Sequence, residues 1–189
     1  MDLVTALSRT LPFALASGIN LYATVAVIGL SARFGWVALP EPFRAFDHPV
    51  IIGVALALYA VEFLADKIPW LDTIWDGVHT FVRPVGGALV AVAALGEAAP
   101  LVQGLVALLG GSVAMTTHLS KAGTRAAVNA SPEPFSNWAL SLAEDLFVVG
   151  FSYVALQYPY LALLASVVVL TGIVLSASLI IRFIKRRLA

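Results

Sequence analysis

Apolar runs of about 20 residues recur along the chain, and no other feature constrains it as much, because a run of that length crosses the hydrocarbon core of a bilayer as one helix. Hydrophobic residues make up 60% of the 189 and charged residues only 12%, so lipid rather than water is the main solvent. Backbone polar groups in lipid must find partners inside the protein, which leaves helices or a closed barrel. The period-two alternation of a barrel is absent. The expected fold is therefore all-α, a polytopic transmembrane helical bundle occupying residues 1–189 as one domain.

Six spans are expected, near Leu11 to Arg33, Val50 to Asp66, Asp76 to Leu95, Leu101 to His118, Asn137 to Gln157 and Tyr160 to Ile181. The first run continues past Asn20 to Leu30 without a small-residue cleavage pattern, so it reads as a span rather than a signal peptide. Ser17-Gly18 before Asn20 leaves two options there: a break that exposes backbone groups to a cavity, or a close helix contact. The third run is short after Pro84, so it extends backward and should kink at that proline, eased by Gly86 and Gly87. Residues Ser131 to Pro134 cannot continue a helix smoothly and should form a loop, with Ser131 or Ser136 capping the next helix. Gly110 and Gly111 permit close helix approach, and with Gly104 they would support a homodimer.

On six spans, Arg9, Lys67, Arg83, Lys121, Arg125, Arg182, Lys185, Arg186 and Arg187 fall on one side, and only Arg33 and Arg44 on the other. The positive-inside rule then puts both termini in the cytoplasm, and the expected location is the cell inner membrane. Trp36, Trp70, Trp75, Trp138, Tyr158 and Tyr160 fall near span ends, where amphipathic rings favour the interface. Eleven basic and eleven acidic residues cancel, leaving no basic footprint for nucleic acid. Cysteine is absent, which excludes thiolate nucleophiles and sulfur-ligated metals.

The sparse charges are ordered. Asp72, Asp76, His79 and Arg83 lie at helical spacing on one face, and His118, Lys121, Arg125 and Asn129 repeat nearly the same spacing as a cationic face continuing the fourth helix. Glu62 and Asp66 form an acidic pair one turn apart, next to Lys67. Pro69-Trp70-Leu71-Asp72 is echoed by Pro134-Phe135-Ser136-Asn137. Counting on from each proline, Asp72, Asp76 and His79 correspond to Asn137, Ser141 and Glu144, with Asp145 adjacent, a weak same-sense repeat of helix hairpins. Together with Asn20, these groups map to the cytoplasmic half of the span. A charge at the bilayer centre costs about 2.5 kcal/mol or more, so such residues face the bundle interior, pair, or line water, and they point to function. The plainer reading is that acidic and basic members merely lock helices together, and that His79 is a satisfied imidazole.

The runs Ser17 to Thr24, Ala65-Asp66-Lys67-Ile68-Pro69-Trp70, Lys121-Ala122-Gly123-Thr124-Arg125 and Ser131 to Trp138 resemble a bacterial integral membrane family known as domain of unknown function 4126. The resemblance implies a small integral membrane protein and brings no substrate or reaction.

The residues themselves favour a small transporter or channel for an ion or small polar solute, its acidic groups handling protons or cations, and not an enzyme. The alternative is an intramembrane metal-dependent enzyme acting on a phosphate-bearing lipid. In it Asp72, Asp76, His79 and Glu144 would ligate a divalent cation while Lys121 and Arg125 hold phosphate. Otherwise no cofactor is expected. No nucleophile elbow, zinc-protease motif or phosphate loop is present. A noncatalytic scaffold binding another membrane protein is the third reading.

Overall fold

The computed structural model describes residues 1–37, 41–130 and 135–188. Its regular elements are helices: α1 (Leu3–Ile19), α2 (Leu21–Phe34), a 3-10 helix (Glu41–Asp47), α3 (Pro49–Ala65), α4 (Pro69–Leu95), α5 (Pro100–Asn129), α6 (Phe135–Gln157) and α7 (Pro159–Leu188). By length and composition α4, α5, α6 and α7 can each cross a membrane, while α1, α2 and α3 are shorter apolar helices. The chain is thus an all-helical, multi-pass membrane bundle. Pro49, Pro69, Pro100 and Pro159 open their helices, where the missing N–H is an orphan in any case. This is why α4 starts at Pro69 rather than at Asp76, and it continues through Pro84 as one helix.

The main departure is in the first apolar run. Asn20 takes an extended backbone (φ −149°, ψ 100°) and separates α1 from α2. Its side-chain oxygen accepts from the Ala23 N–H at 2.9 Å, capping α2. Thr5, in the first turn of α1, lies 3.2 Å from the Tyr160 hydroxyl, and Gln157 donates to the carbonyl of Trp36, just past α2, at 3.5 Å. Both partners flank the α6–α7 turn. The hairpin α1–α2 therefore enters and leaves at one end of the bundle and turns back at Asn20, so the run from Leu11 to Arg33 is not a single span. Helices α3 to α7 then alternate in direction, and the start of α1 and the end of α7 lie at opposite ends of the bundle, here called the N-terminal and C-terminal ends. The break is local, because an asparagine that can cap a new helix competes with the continuous ladder, whereas the reversal follows from the contacts of Thr5 with Tyr160 and of Gln157 with Trp36.

Small residues let the helices touch, as expected where lipid removes the usual hydrophobic drive. A Cβ on Gly18 would fall 1.7 Å from Thr117 Oγ1 and 2.4 Å from the Ala114 carbonyl oxygen, and one on Gly110 would fall 2.6 Å from Ala91 Cβ. Gly110 and Gly111 thus serve α4–α5 packing inside the bundle, whereas Gly104 faces open space. Helix α7 is peripheral and presents most of its apolar surface outward.

The hairpins α4–α5 and α6–α7 run in the same sense, both starting at the C-terminal end, as the echo of Pro69 by Pro134 predicts. Ser131 to Pro134 lie outside the described residues, and Ser136, the other expected cap, lies within α6.

Candidate functional site

Four helical stretches bring polar groups to one depth in the C-terminal half of the bundle: the last turn of α3, the first half of α4, the second half of α5 and the first half of α6. The tip of the α1–α2 hairpin points into them. Asp72, Asp76, His79 and Arg83 are all buried, so the stripe read from the 3.6-residue period does face inward. His118, Lys121 and Arg125 on α5 are buried opposite it.

Arg83 is the hub. Its guanidinium donates to Glu62 Oε1 at 2.6 Å, to the Gly18 carbonyl at 3.1 Å and to His118 Nδ1 at 2.7 Å, with Asp76 Oδ1 at 3.7 Å. Lys121 Nζ sits among the Ile19 carbonyl (3.3 Å), Glu62 Oε1 (3.3 Å), Asp66 Oδ2 (3.4 Å) and Glu144 Oε2 (3.7 Å). Arg125 holds the Asp72 carboxylate through Nε at 3.2 Å and Nη2 at 3.1 Å. It also donates to the carbonyls of Asn137 (3.1 Å) and Asp66. Asn129 donates to Asp72 Oδ2 at 2.5 Å, and Asn137 Nδ2 to the Asp66 carbonyl at 3.1 Å. The repeat counterparts Asp72 and Asn137 therefore meet on one guanidinium.

The break at Asn20 explains why cations gather here. A helix C-terminus carries unsatisfied carbonyls and a partial negative charge, and α1 ends inside the bundle. The carbonyls of Gly18 and Ile19 are met by Arg83 and Lys121.

The remaining predicted residues occupy the margins. Asn20 Nδ2 donates to Asp145 Oδ1 at 3.3 Å. Lys67 donates to Ser141 Oγ at 2.7 Å and lies 3.5 Å from the centre of the Phe63 ring, a cation–π arrangement. His79 turns away from the carboxylates. Its Nδ1–H donates to the Trp75 carbonyl at 2.7 Å, so Nε2 accepts from the Tyr22 hydroxyl at 2.9 Å. Trp75, half-buried, stacks on the same imidazole with ring centroids 4.5 Å apart. At His118 the tautomer is opposite: Nδ1 accepts from Arg83, so Nε2–H donates to Thr80 Oγ1 at 3.0 Å, which in turn donates to the Asp76 carbonyl at 3.0 Å.

Six carboxyl groups (Glu62, Asp66, Asp72, Asp76, Glu144 and Asp145) thus share this region with four basic ones (Lys67, Arg83, Lys121 and Arg125). Glu62 Oε2 and Asp145 Oδ2 have no hydrogen bond among the described residues.

The proposed metal set is not gathered: among the described residues no three of His, Asp and Glu converge as metal ligands. Asp72 is taken by Arg125 and Asn129, and His79 by Tyr22 and Trp75. Two cavities lie away from the network. One, of about 620 Å³, opens at the N-terminal end between Arg9, Glu41 and Glu97. The other, about 370 Å³ and almost wholly apolar, lies among α2, α3 and α4 beside Tyr22. Sequence reasoning missed Tyr22, Thr80 and the two carbonyls of α1. Thr80 lies on the face of the α4 stripe, and Tyr22 lies in the run from Ser17 to Thr24, so both carried a signal.

The family model described as Domain of unknown function (DUF4126) matches residues 7–178. No curated protein and no solved structure matches the chain.

Proposed function

The chain belongs to the DUF4126 family, and we propose that it moves a small cation or polar solute across the cell inner membrane through its charged half. The observation that carries this reading is the re-entrant tip. Irregular backbone at membrane depth is tolerated only where protein or a water-lined path surrounds it, and broken helices that end on buried charges are the usual construction of transport sites. Here α1 ends on Arg83 and Lys121, and the carboxylates around them outnumber the bases. That sign favours a cation. We place the C-terminal end in the cytoplasm, because Lys67 and the basic residues from Arg182 onward collect there, and the N-terminus on the opposite side.

The lipid-phosphate enzyme is supported less. Lys121 and Arg125, its phosphate holders, are buried and already engaged by carboxylates and carbonyls. A second reading, a charged strut that locks the helices, is favoured by the dense pairing around Arg125.

Reconstitution into proteoliposomes separates transport from the strut. With an imposed cation gradient and an internal pH or cation dye, wild-type protein should carry flux above protein-free vesicles. Glu144→Gln and Asp76→Asn should reduce it at unchanged protein incorporation. Flux equal to empty vesicles for every cation and proton gradient tried would sink the transport reading.

A further inference from the structure

We propose that the seam between α2 and α6 is a hydrated path, passing water and ions of its size, that joins the charged half of the bundle to the N-terminal end. Such a path deepens the transport reading by naming its route, and only its cargo rests on that reading.

Helix α6 meets α2 at both ends, where Asn20 donates to Asp145 and where Gln157 donates to the Trp36 carbonyl, so the two helices run in the same direction. Helical spacing fixes what each presents. On α6, Ser141, Asp145 and Ser152 stand at offsets of zero, four and eleven, which is one face, and all three are buried. Asp145 meets the tip of the hairpin, and Ser152 points the same way about 10 Å nearer the N-terminal end. On α2, Tyr22 reaches His79 of α4, and a Cβ on Gly29 would strike Ile52 of α3. Thr24 and Ser31 each come two residues after one of these, hence across the helix. That side of α2 faces the two other helices that it touches, α1 and α6.

The hydroxyls of the seam differ from their counterparts elsewhere. A serine or threonine within a helix can bond its hydroxyl back to the carbonyl four residues earlier, as Thr10, Thr24, Ser112 and Ser166 do. Ser31 and Ser152 are 0% exposed, yet neither hydroxyl has a hydrogen bond among the described residues, nor has Asp145 Oδ2. Alanine at both serines would fill the seam without a stranded hydroxyl. Polar atoms left unmet along one line share the need of a partner small enough to reach each of them. Water meets it, since a buried water bonds about three such groups. Ser17 also lacks a partner, but it stands beside Gly87 of α4, away from the seam.

About three water molecules at ordinary O–H···O spacing cover the distance from Asp145 to Ser152. The Thr24 hydroxyl, which donates to the Asn20 carbonyl, still accepts from that gap. Ser31 lies one turn before Gly35, where α2 ends, so the file opens at the N-terminal end. Val148, fully buried one turn from both Asp145 and Ser152, is the apolar constriction at which the file breaks and reforms. The opposite flank of the hairpin offers no such route, because Gly18 and Gly87 meet α5 with no room for a Cβ.

The chain's lack of cysteine gives a direct test. Ser31→Cys, Ser152→Cys and, as control, Ser166→Cys, equally buried but bonded to its own helix, are placed singly in nanodiscs and exposed to silver nitrate. The silver ion is monovalent, small enough to follow water, and binds thiols. Thiols left unreacted are counted with a fluorescent maleimide after unfolding in dodecyl sulfate. Both seam variants should react at least about tenfold faster than the control, because a thiol in dry packing waits for local opening. Equal rates for all three, or no reaction of the seam variants before unfolding, overturns the path. Where a cysteine variant fails to fold, Ser152→Ala decides. Its melting temperature should be no higher than that of wild type if water serves the hydroxyl, and a higher one, as loss of a stranded hydroxyl from dry packing gives, overturns the path as well. Flux in proteoliposomes with a dry seam leaves transport standing by another route, whereas a silver-reactive seam without flux keeps the path and removes transport.

Discussion

Removing the hub guanidinium gives the sharpest quantitative test of the network. Arg83→Met keeps the aliphatic stem and deletes three donated hydrogen bonds, to Glu62, Gly18 and His118. Breaking a buried pair by deleting one partner costs about 3–5 kcal/mol, mostly from the charge left behind. Lys121 still lies 3.3 Å from the same Glu62 oxygen, so the expected loss sits at the lower end, about 3 kcal/mol. An ordinary polar contact between membrane helices averages about 0.6 kcal/mol, several times less, so the two cases are separable. Glu62→Gln alone should cost about 1–3 kcal/mol for the hydrogen-bonding capacity it strands, with Asp76 at 3.7 Å retaining some of the charge balance of Arg83. The double variant removes both charges and should be more stable than the sum of the singles predicts, by about 2 kcal/mol, within the range found for residues in direct contact. Equilibrium unfolding in mixed micelles measures all four corners of the cycle. If the singles add to within about 0.5 kcal/mol, as distant sites do, Arg83 and Glu62 are not the coupled pair described here.

The other predictions concern the re-entrant hairpin and its neighbours. Gly18→Ala puts a Cβ 1.7 Å from Thr117 Oγ1 and 2.4 Å from a backbone oxygen that cannot swing aside, so a loss of about 3 kcal/mol, the upper part of the overpacking range, should appear as a lower melting temperature; a wild-type value would contradict the close α1–α5 approach. Asn20→Ala removes the cap of α2 and should cost about 1 kcal/mol, with Asn20→Ser recovering part of it; equal stability of the two variants would count against the cap. Because the chain has no cysteine, Leu3→Cys and Lys185→Cys can be labelled singly with a membrane-impermeant maleimide in oriented vesicles. The two should react from opposite sides, and reaction of both from one side would mean that α1–α2 crosses after all.

How much of this was legible beforehand varied with the range of the interactions. The stripe from Asp72 to Arg83 obeys the helical period, which depends on the chain alone, and it is buried as read. The partners across the stripe depend on how α3, α5 and α6 cross α4, so spacing could show that acids and bases share a depth but not that Arg125 would take Asp72 while Lys121 is divided among three carboxylates. His79 illustrates the limit. It lies on the acidic face by periodicity, yet its bonds go to Tyr22 and to its own helix, since a hydroxyl and a carbonyl together satisfy both nitrogens of a neutral ring. The break at Asn20 was visible as one of two options, but whether the chain passed straight on or turned back was fixed by contacts far away in sequence, from Thr5 to Tyr160 and from Gln157 to Trp36.

Those distant contacts also explain why a chain this apolar retains its buried charges. Once α1 stops inside the bundle, its last carbonyls lose their helical partners, and an unmet backbone carbonyl in hydrocarbon costs several kcal/mol. Side-chain amides could supply donors at lower cost, but Arg83 and Lys121 stand there instead. Two buried cations then require carboxylates, which α3, α4 and α6 provide. The acids, however, exceed what the bases need, and that excess follows from neither the break nor the packing. A strut would have matched acids to bases, since each unpaired buried charge destabilises it. On the proposed transport reading, a mobile cation or proton would act on this surplus, at Glu144 and Asp145 rather than at Glu62 and Asp72, which Arg83 and Arg125 hold.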